Sequence, residues 1–202
     1  MGAISFKRSS LENYNKYNSL LVGNEFTPPP ADSSYDLLET TTLTSSASSV
    51  TFSGLGSYTD YKHLQIRAVA RSSRSANADG LSLRINNVSS SSYTRHVLFA
   101  DGSNVNSSQS TGDTSLTVGR IPASSQSSDV YGAINTDLVD AYSSTKNTTS
   151  RSLSGFPGNE NSIYLDSGLF INTASITDLT FFATAGPNLV TGSRFSLFGI
   201  RG

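Results

Sequence analysis

The stretch Tyr61-Lys62-His63-Leu64-Gln65-Ile66-Arg67-Ala68-Val69-Ala70-Arg71 decides the fold. Leu64, Ile66, Ala68 and Ala70 fall on one side of an extended chain; His63, Gln65, Arg67, Val69 and Arg71 fall on the other. Successive side chains of a strand point to opposite faces, so this period of two describes a sheet with one covered side. Leu81, Leu83 and Ile85 repeat the pattern after the turn-forming Asn77-Ala78-Asp79-Gly80. Similar short alternations, separated by Gly, Ser, Asn and Asp clusters, predict strands over 35–43, 49–53, 93–100, 114–121, 130–138, 151–156, 162–171, 176–184 and 195–200. No helical stretch matches them in quality. About ten closely spaced strands predict an all-β, antiparallel β-sandwich. Two stretches, 101–112 and 123–129, are almost wholly Ser, Asn, Gln, Gly and Asp and read as loops. Such loops serve either as binding segments or as solvated spacers.

Composition narrows the function classes. Only 14% of the 202 residues are charged, and Ser and Thr supply about three residues in ten, so the surface is hydroxyl-rich rather than ionic. A formal net charge of −1 gives no electrostatic footprint for nucleic acid or an anionic membrane. The chain has no cysteine, which removes disulfides and thiolate metal sites. The opening Met1-Gly2-Ala3-Ile4-Ser5-Phe6-Lys7-Arg8 lacks the apolar core of a signal peptide, and no apolar run approaches the roughly 20 residues of a spanning helix. These features predict a soluble chain.

The composition breaks at Thr27-Pro28-Pro29-Pro30, where consecutive prolines impose an extended conformation. Two parts are expected: residues 1–30, an extended N-terminal arm with a Pro-rich hinge, and residues 31–202, the sandwich. Phe6, Tyr14, Tyr17, Leu20, Leu21, Val22 and Phe26 give the arm more apolar surface than an inert tail needs, yet it is too short to bury itself. The arm therefore either docks on another subunit, folds back on its own domain or stays a disordered leader.

Catalytic chemistry finds little support. The two histidines, His63 and His96, sit inside strand patterns, and no Gly-x-Ser-x-Gly elbow accompanies the many serines. These histidines read as surface or interface residues that pair with carboxylates such as Asp60 or Asp101. The densest acids are Asp137 with Asp140, Asp36 with Glu39, and Asp79 before Gly80; none forms an EF-hand or a His-x-x-x-His pair, and carboxylates near turns usually bond the backbone. Gly54-Leu55-Gly56-Ser57-Tyr58-Thr59 lacks the third glycine and the helix of a dinucleotide loop and reads as a strand turn. Tyr58, Tyr61, Tyr93, Tyr131, Tyr142 and Tyr164 are available as sugar platforms, although half-buried tyrosine is ordinary in a sandwich. The expectation is a protein that is not an enzyme and needs no cofactor or metal.

A resemblance adds to this. Tyr35-Asp36-Leu37-Leu38-Glu39-Thr40, Val50-Thr51-Phe52, Tyr61 to Arg67, Ala174-Ser175-Ile176-Thr177-Asp178-Leu179 and Gly192-Ser193-Arg194-Phe195-Ser196-Leu197-Phe198-Gly199-Ile200-Arg201-Gly202 together resemble the virion structural proteins of tailed bacteriophages of cyanobacteria and marine bacteria. The resemblance covers 35–202 and leaves the arm outside it. It implies a jelly-roll-like body without catalytic or cofactor-binding positions, found in head decoration proteins and in tail-appended modules. The resulting expectation is a capsid decoration or cement protein, located in the virion and assembled in the host cytoplasm. The arm would bind the head shell, and the body would form a homo-oligomer, expected to be a trimer. Partners would be the major capsid protein or other virion subunits, with no nucleic acid and no membrane. The alternative is a tail fibre or host-recognition module that binds surface glycans.

Overall fold

A computed structural model of the chain describes residues 34–158 and 162–202. The arm positions Phe6, Tyr14, Tyr17, Leu20, Leu21, Val22 and Phe26, and the proline hinge, lie outside the described residues. Twelve strands follow one another: β1 (Tyr35–Thr42), β2 (Val50–Phe52), β3 (His63–Ala70), β4 (Ala78–Ile85), β5 (Tyr93–Ala100), β6 (Val105–Asp113), β7 (Leu116–Pro122), β8 (Gly132–Val139), β9 (Thr148–Phe156), β10 (Ser162–Phe170), β11 (Leu179–Ala183) and β12 (Arg194–Ile200). They form an eight-stranded sheet in the order β1-β12-β3-β8-β9-β10-β5-β6 and a four-stranded sheet in the order β2-β11-β4-β7.

The antiparallel pairs β1–β12, β2–β11, β3–β8 and β4–β7 alternate between the sheets. This is the winding of a jelly roll, a long hairpin wrapped into a sandwich. The pairs β5–β6 and β9–β10 widen the larger sheet. The expected all-β sandwich is therefore the fold, with two corrections. Residues 101–112, expected as a loop, contain most of β6: Ser, Asn, Gln and Thr show no apolar alternation, yet the segment pairs with β5 from Val105 to Asp113. Ala78, Asp79 and Gly80, expected as a turn, begin β4 because their partners on β7, Pro122, Ile121 and Arg120, extend the ladder.

On one side of the sandwich the core is apolar. Leu64, Ile66, Ala68 and Ala70 of β3 meet Leu81, Leu83 and Ile85 of β4, Leu179 and Phe181 of β11, and Phe195 and Leu197 of β12, all buried. The Phe181 ring lies 6.3 Å from that of Phe52 and 5.4 Å from that of Phe195. On the other side the alternation is reversed. In β9 the buried positions are Thr148, Ser150, Ser152, Ser154 and Phe156, while Leu153 faces outward; in β10, Ser162, Asp166 and Gly168 are buried while Ile163 and Leu165 are exposed. Close approach of the sheets explains the inversion. A Cβ on Gly119 of β7 would lie 2.7 Å from Ser154 Cβ, and one on Gly168 would lie 2.6 Å from Leu116 Cδ2, so only small side chains fit between the layers here. Two of the buried serines are bonded across the layers: Ser152 Oγ donates to Thr136 Oγ1 at 2.9 Å, and Ser154 Oγ accepts the Arg120 amide at 3.0 Å.

Two polar pins fix the loops. The Asp79 carboxylate, fully buried, accepts the amides of Gly80, Ala185 and Gly186 at 2.8, 3.0 and 2.8 Å and the Ser72 hydroxyl at 2.7 Å. The buried Arg71 guanidinium donates to the carbonyls of Gln126, Ser127 and Val130, at 2.8, 2.5 and 3.0 Å. The 123–129 loop is thus tied down from below rather than left as a solvated spacer.

Candidate functional surface

The larger sheet turns one face inward to the smaller sheet, and no described strand covers the other, the open face. Antiparallel register aligns its outward residues in rows that cross seven strands. One row runs Arg194, Val69, Ala133, Gly155, Ile163, Ala100, Val105, and the next runs Ser196, Arg67, Asn135, Leu153, Leu165, Leu98, Ser107. A third runs Phe198, Gln65, Asp137, Arg151, Ser167, His96, Gln109. The first row is mainly apolar, the second sets the adjoining Leu153, Leu165 and Leu98 among four polar residues, and the third is polar apart from Phe198.

Large apolar side chains crowd this face. Among the described residues, the exposed large hydrophobics are Leu37, Val69, Leu98, Val105, Val139, Leu153, Ile163, Leu165 and Ile171. The first eight lie on the open face, and Ile171 continues the same alternation just past β10. The opposite surface of the sandwich, by contrast, carries Thr51 and Thr180, joined at 3.0 Å, and Thr184, which bonds the buried Ser82 at 2.8 Å. Two shallow grooves mark the open face. One of about 1010 Å³ has Leu37, Arg67, Val69, Leu153, Ile163, Arg194 and Phe198 in its lining; another, of about 580 Å³, has His96, Leu98, Val139, Arg151 and Leu165.

The polar row is internally bonded. Tyr35 Oη donates to Gln65 Oε1 at 2.7 Å, Gln65 Nε2 donates to Asp137 Oδ1 at 2.7 Å, and Arg151 Nη2 meets Asp137 Oδ2 at 2.9 Å. The Arg67 guanidinium lies 5.4 Å from the Tyr35 ring and 5.3 Å from the Phe198 ring, which stack at 4.8 Å. Burial raises the Tyr35 hydroxyl above its ordinary pKa, with the Arg67 charge opposing and the Asp137 charge adding. The result is a rigid, neutralised strip beside an apolar floor.

The tyrosines singled out from the sequence do not converge. Tyr93 is buried against Phe170 and its hydroxyl bonds Ile85 and Val88; Tyr142 donates to Leu55 O, Tyr131 to Thr191 O and Tyr61 to Asp36. Tyr58 packs on Tyr61, and Tyr164 stacks on Phe99 at 5.2 Å. His63 accepts the Asp140 amide through Nδ1 at 2.9 Å and faces that carboxylate, rather than Asp60. His96, exposed on the open face, is registered with Ser167 and Gln109, rather than with Asp101.

The acids have the environments expected of turn and strand carboxylates. Asp140 pairs with Lys146 at 2.7 Å, whose hydrogen bond, the largest influence, lowers its pKa. Asp36 accepts Tyr61, and Asp79 is already occupied by amide and hydroxyl donors with the Arg74 guanidinium 3.8 Å away. Among the described residues no three His, Cys, Asp or Glu side chains gather as metal ligands. Gly54, at φ 70°, opens a short 3-10 turn over Leu55–Ser57, in place of any phosphate loop.

No family model and no curated protein matches the chain. Two solved structures are similar in part. One is a xylan β-1,4-xylosidase from Bacillus halodurans C-125, at TM-score 0.31 and 9% identity over 70% of this chain and 28% of that one. The other is the galectin LEC-6 of Caenorhabditis elegans, at TM-score 0.17 and 10% identity over 86% and 100%. The chain thus spans just over a quarter of the xylosidase. Both scores are too low to bear on function.

Proposed function

We propose that this chain is a structural protein of a virion, a capsid decoration or cement protein that binds the head shell and stabilises it. The observation that carries the reading is the reversed alternation of β9 and β10, which keeps serine inside and holds Leu153, Ile163 and Leu165 outside. Burial of apolar surface is worth about 25 cal/mol per Å², so a free monomer gains nothing from this arrangement, whereas a docked one does. The shell would cover the open face, and the apolar arm would extend the contact to a neighbouring subunit. The resemblance to bacteriophage virion proteins supplies the kind of particle.

Two variants test it. Leu153 and Ile163 are 52% and 54% exposed, so Leu153→Asp with Ile163→Asp leaves the fold intact. The proposal expects this variant, and separately a chain lacking residues 1–30, to be largely lost from purified heads. Normal occupancy by both would refute it.

A second reading rests on the strip beside the apolar floor, where the stacked Tyr35 and Phe198 adjoin Gln65, Asp137 and Arg151. An aromatic platform beside fixed polar groups suits a glycan, as in a tail fibre or host-recognition module. That reading expects a few copies per virion and direct binding to host cells. The cement reading expects copies comparable to the capsid protein.

A further inference from the structure

Strand β6 poses a physical problem that the described residues leave unsolved. Seven of its nine residues are exposed, and it buries neither face. Ordering a strand costs backbone entropy, which burial normally offsets; here only the ladder to β5 does so. Its other edge faces no strand among the described residues.

The remaining edges carry devices that discourage strand addition. Strand β1 is bulged between Leu37 and Glu39 and bears Asp36 and Glu39. Strand β2 is three residues long, and β7 ends in Pro122 and is bulged opposite Leu81 and Ser82. Strand β6 has no proline, lysine or arginine, and its one charge, Asp113, stands at its end. Its pairing with β5 is regular from Val105 to Thr111.

We infer that β6 is a self-pairing edge that joins two copies of this chain about a two-fold axis, continuing the larger sheet from one copy into the next. Antiparallel pairing centred on Gln109 sets Ser107 opposite Thr111 of the second copy, within the regular stretch that ends before the bulge at Gly112, so no like charges meet. The stretch 105–111 carries no charge, so two copies meet there without like-charge repulsion, as an isologous contact requires. A head-to-tail contact would have to use the bulged, acidic β1 edge instead. On this inference the copies are related by a two-fold, where the sequence reading expects a trimer. The inference is independent of what the open face binds.

Sedimentation of the full chain tests it. The expected species is a concentration-dependent dimer of twice the 21.4 kDa chain mass. Gln109→Lys and Gln109→Glu each set like charges across the axis and should weaken the dimer roughly tenfold or more, with melting unchanged at dilutions where the chain is monomeric, because the site is exposed there. Mixing the two variants should restore it. The chain has no cysteine, so Gln109→Cys should cross-link under mild oxidation while Thr180→Cys, on the smaller sheet, should not. A monomer at every concentration, a trimer, or a dimer indifferent to both charge variants would overturn the inference.

Discussion

Replacing Asp79 by alanine is the most demanding test of how this sandwich is held together. The carboxylate is fully buried and receives three backbone amides and one hydroxyl. Alanine leaves those four donors facing a small cavity. An unsatisfied buried donor costs about 1–3 kcal/mol, and the partly buried amides of Ala185 and Gly186 recover some of that from water. The expected loss is about 3–5 kcal/mol, a large fraction of the roughly 5–15 kcal/mol typical of a whole domain. With a urea slope of about 2 kcal/mol per M, the unfolding midpoint should fall by about 2 M. Ser72→Ala removes one donor to Asp79 and the acceptor of the Arg74 amide, and should cost about 1–2 kcal/mol. Gly186→Ala leaves the carboxylate in place but sets a methyl 2.8 Å from Asp79 Oδ2, and should destabilise by displacing the loop. A loss below about 1 kcal/mol for Asp79→Ala would refute the view that this cluster pins the 185–186 loop to β4.

Burial pushes the Tyr142 hydroxyl up to about 12 from 10.0, so the unfolded chain ionises first and stability is lost as pH rises between those values; Tyr142→Phe should flatten that loss in alkaline melts. Asp166 is also raised, by burial against the opposing Arg95 charge, so the stability difference between wild type and Asp166→Asn should fall as pH rises above 3.8. Arg71→Met frees three carbonyls and should cost about 2–4 kcal/mol while exposing the 123–130 segment to proteolysis. Gly119→Ala drives a methyl into Ser154 and should cost about 1–3 kcal/mol in thermal unfolding, part of which Ser154→Gly recovers.

The sequence announces β3 clearly because Leu64, Ile66 and Ala68 point into a thick apolar layer, where the period of two and burial agree. It hides β6, whose Ser, Asn and Gln carry no such contrast and whose strand forms by pairing alone. The open face was hidden for a different reason. In β9 and β10 the alternation is visible, but apolar residues ordinarily point inward, and that rule assigns Leu153, Ile163 and Leu165 to the wrong side. The signal that corrects it is the glycine and serine content of the facing strands, Gly119, Ser154 and Gly168, which marks two sheets too close for larger side chains. Phe198 carries no sign of an aromatic platform in the sequence, because its stacking partner, Tyr35, is remote in sequence and comes beside it only through the β1–β12 register.

The winding of the chain also orders events in time. Strand β12 lies between β1 and β3, and β11 lies between β2 and β4, so the last two strands made are wedged between those made first. A nascent chain on the ribosome holds β1, β2 and β3 with their ladders unfilled until the final stretch emerges, and such long-range closure is slow. Premature release before Leu179 would leave two open sheets with matching gaps, each a template for the missing strands of another copy.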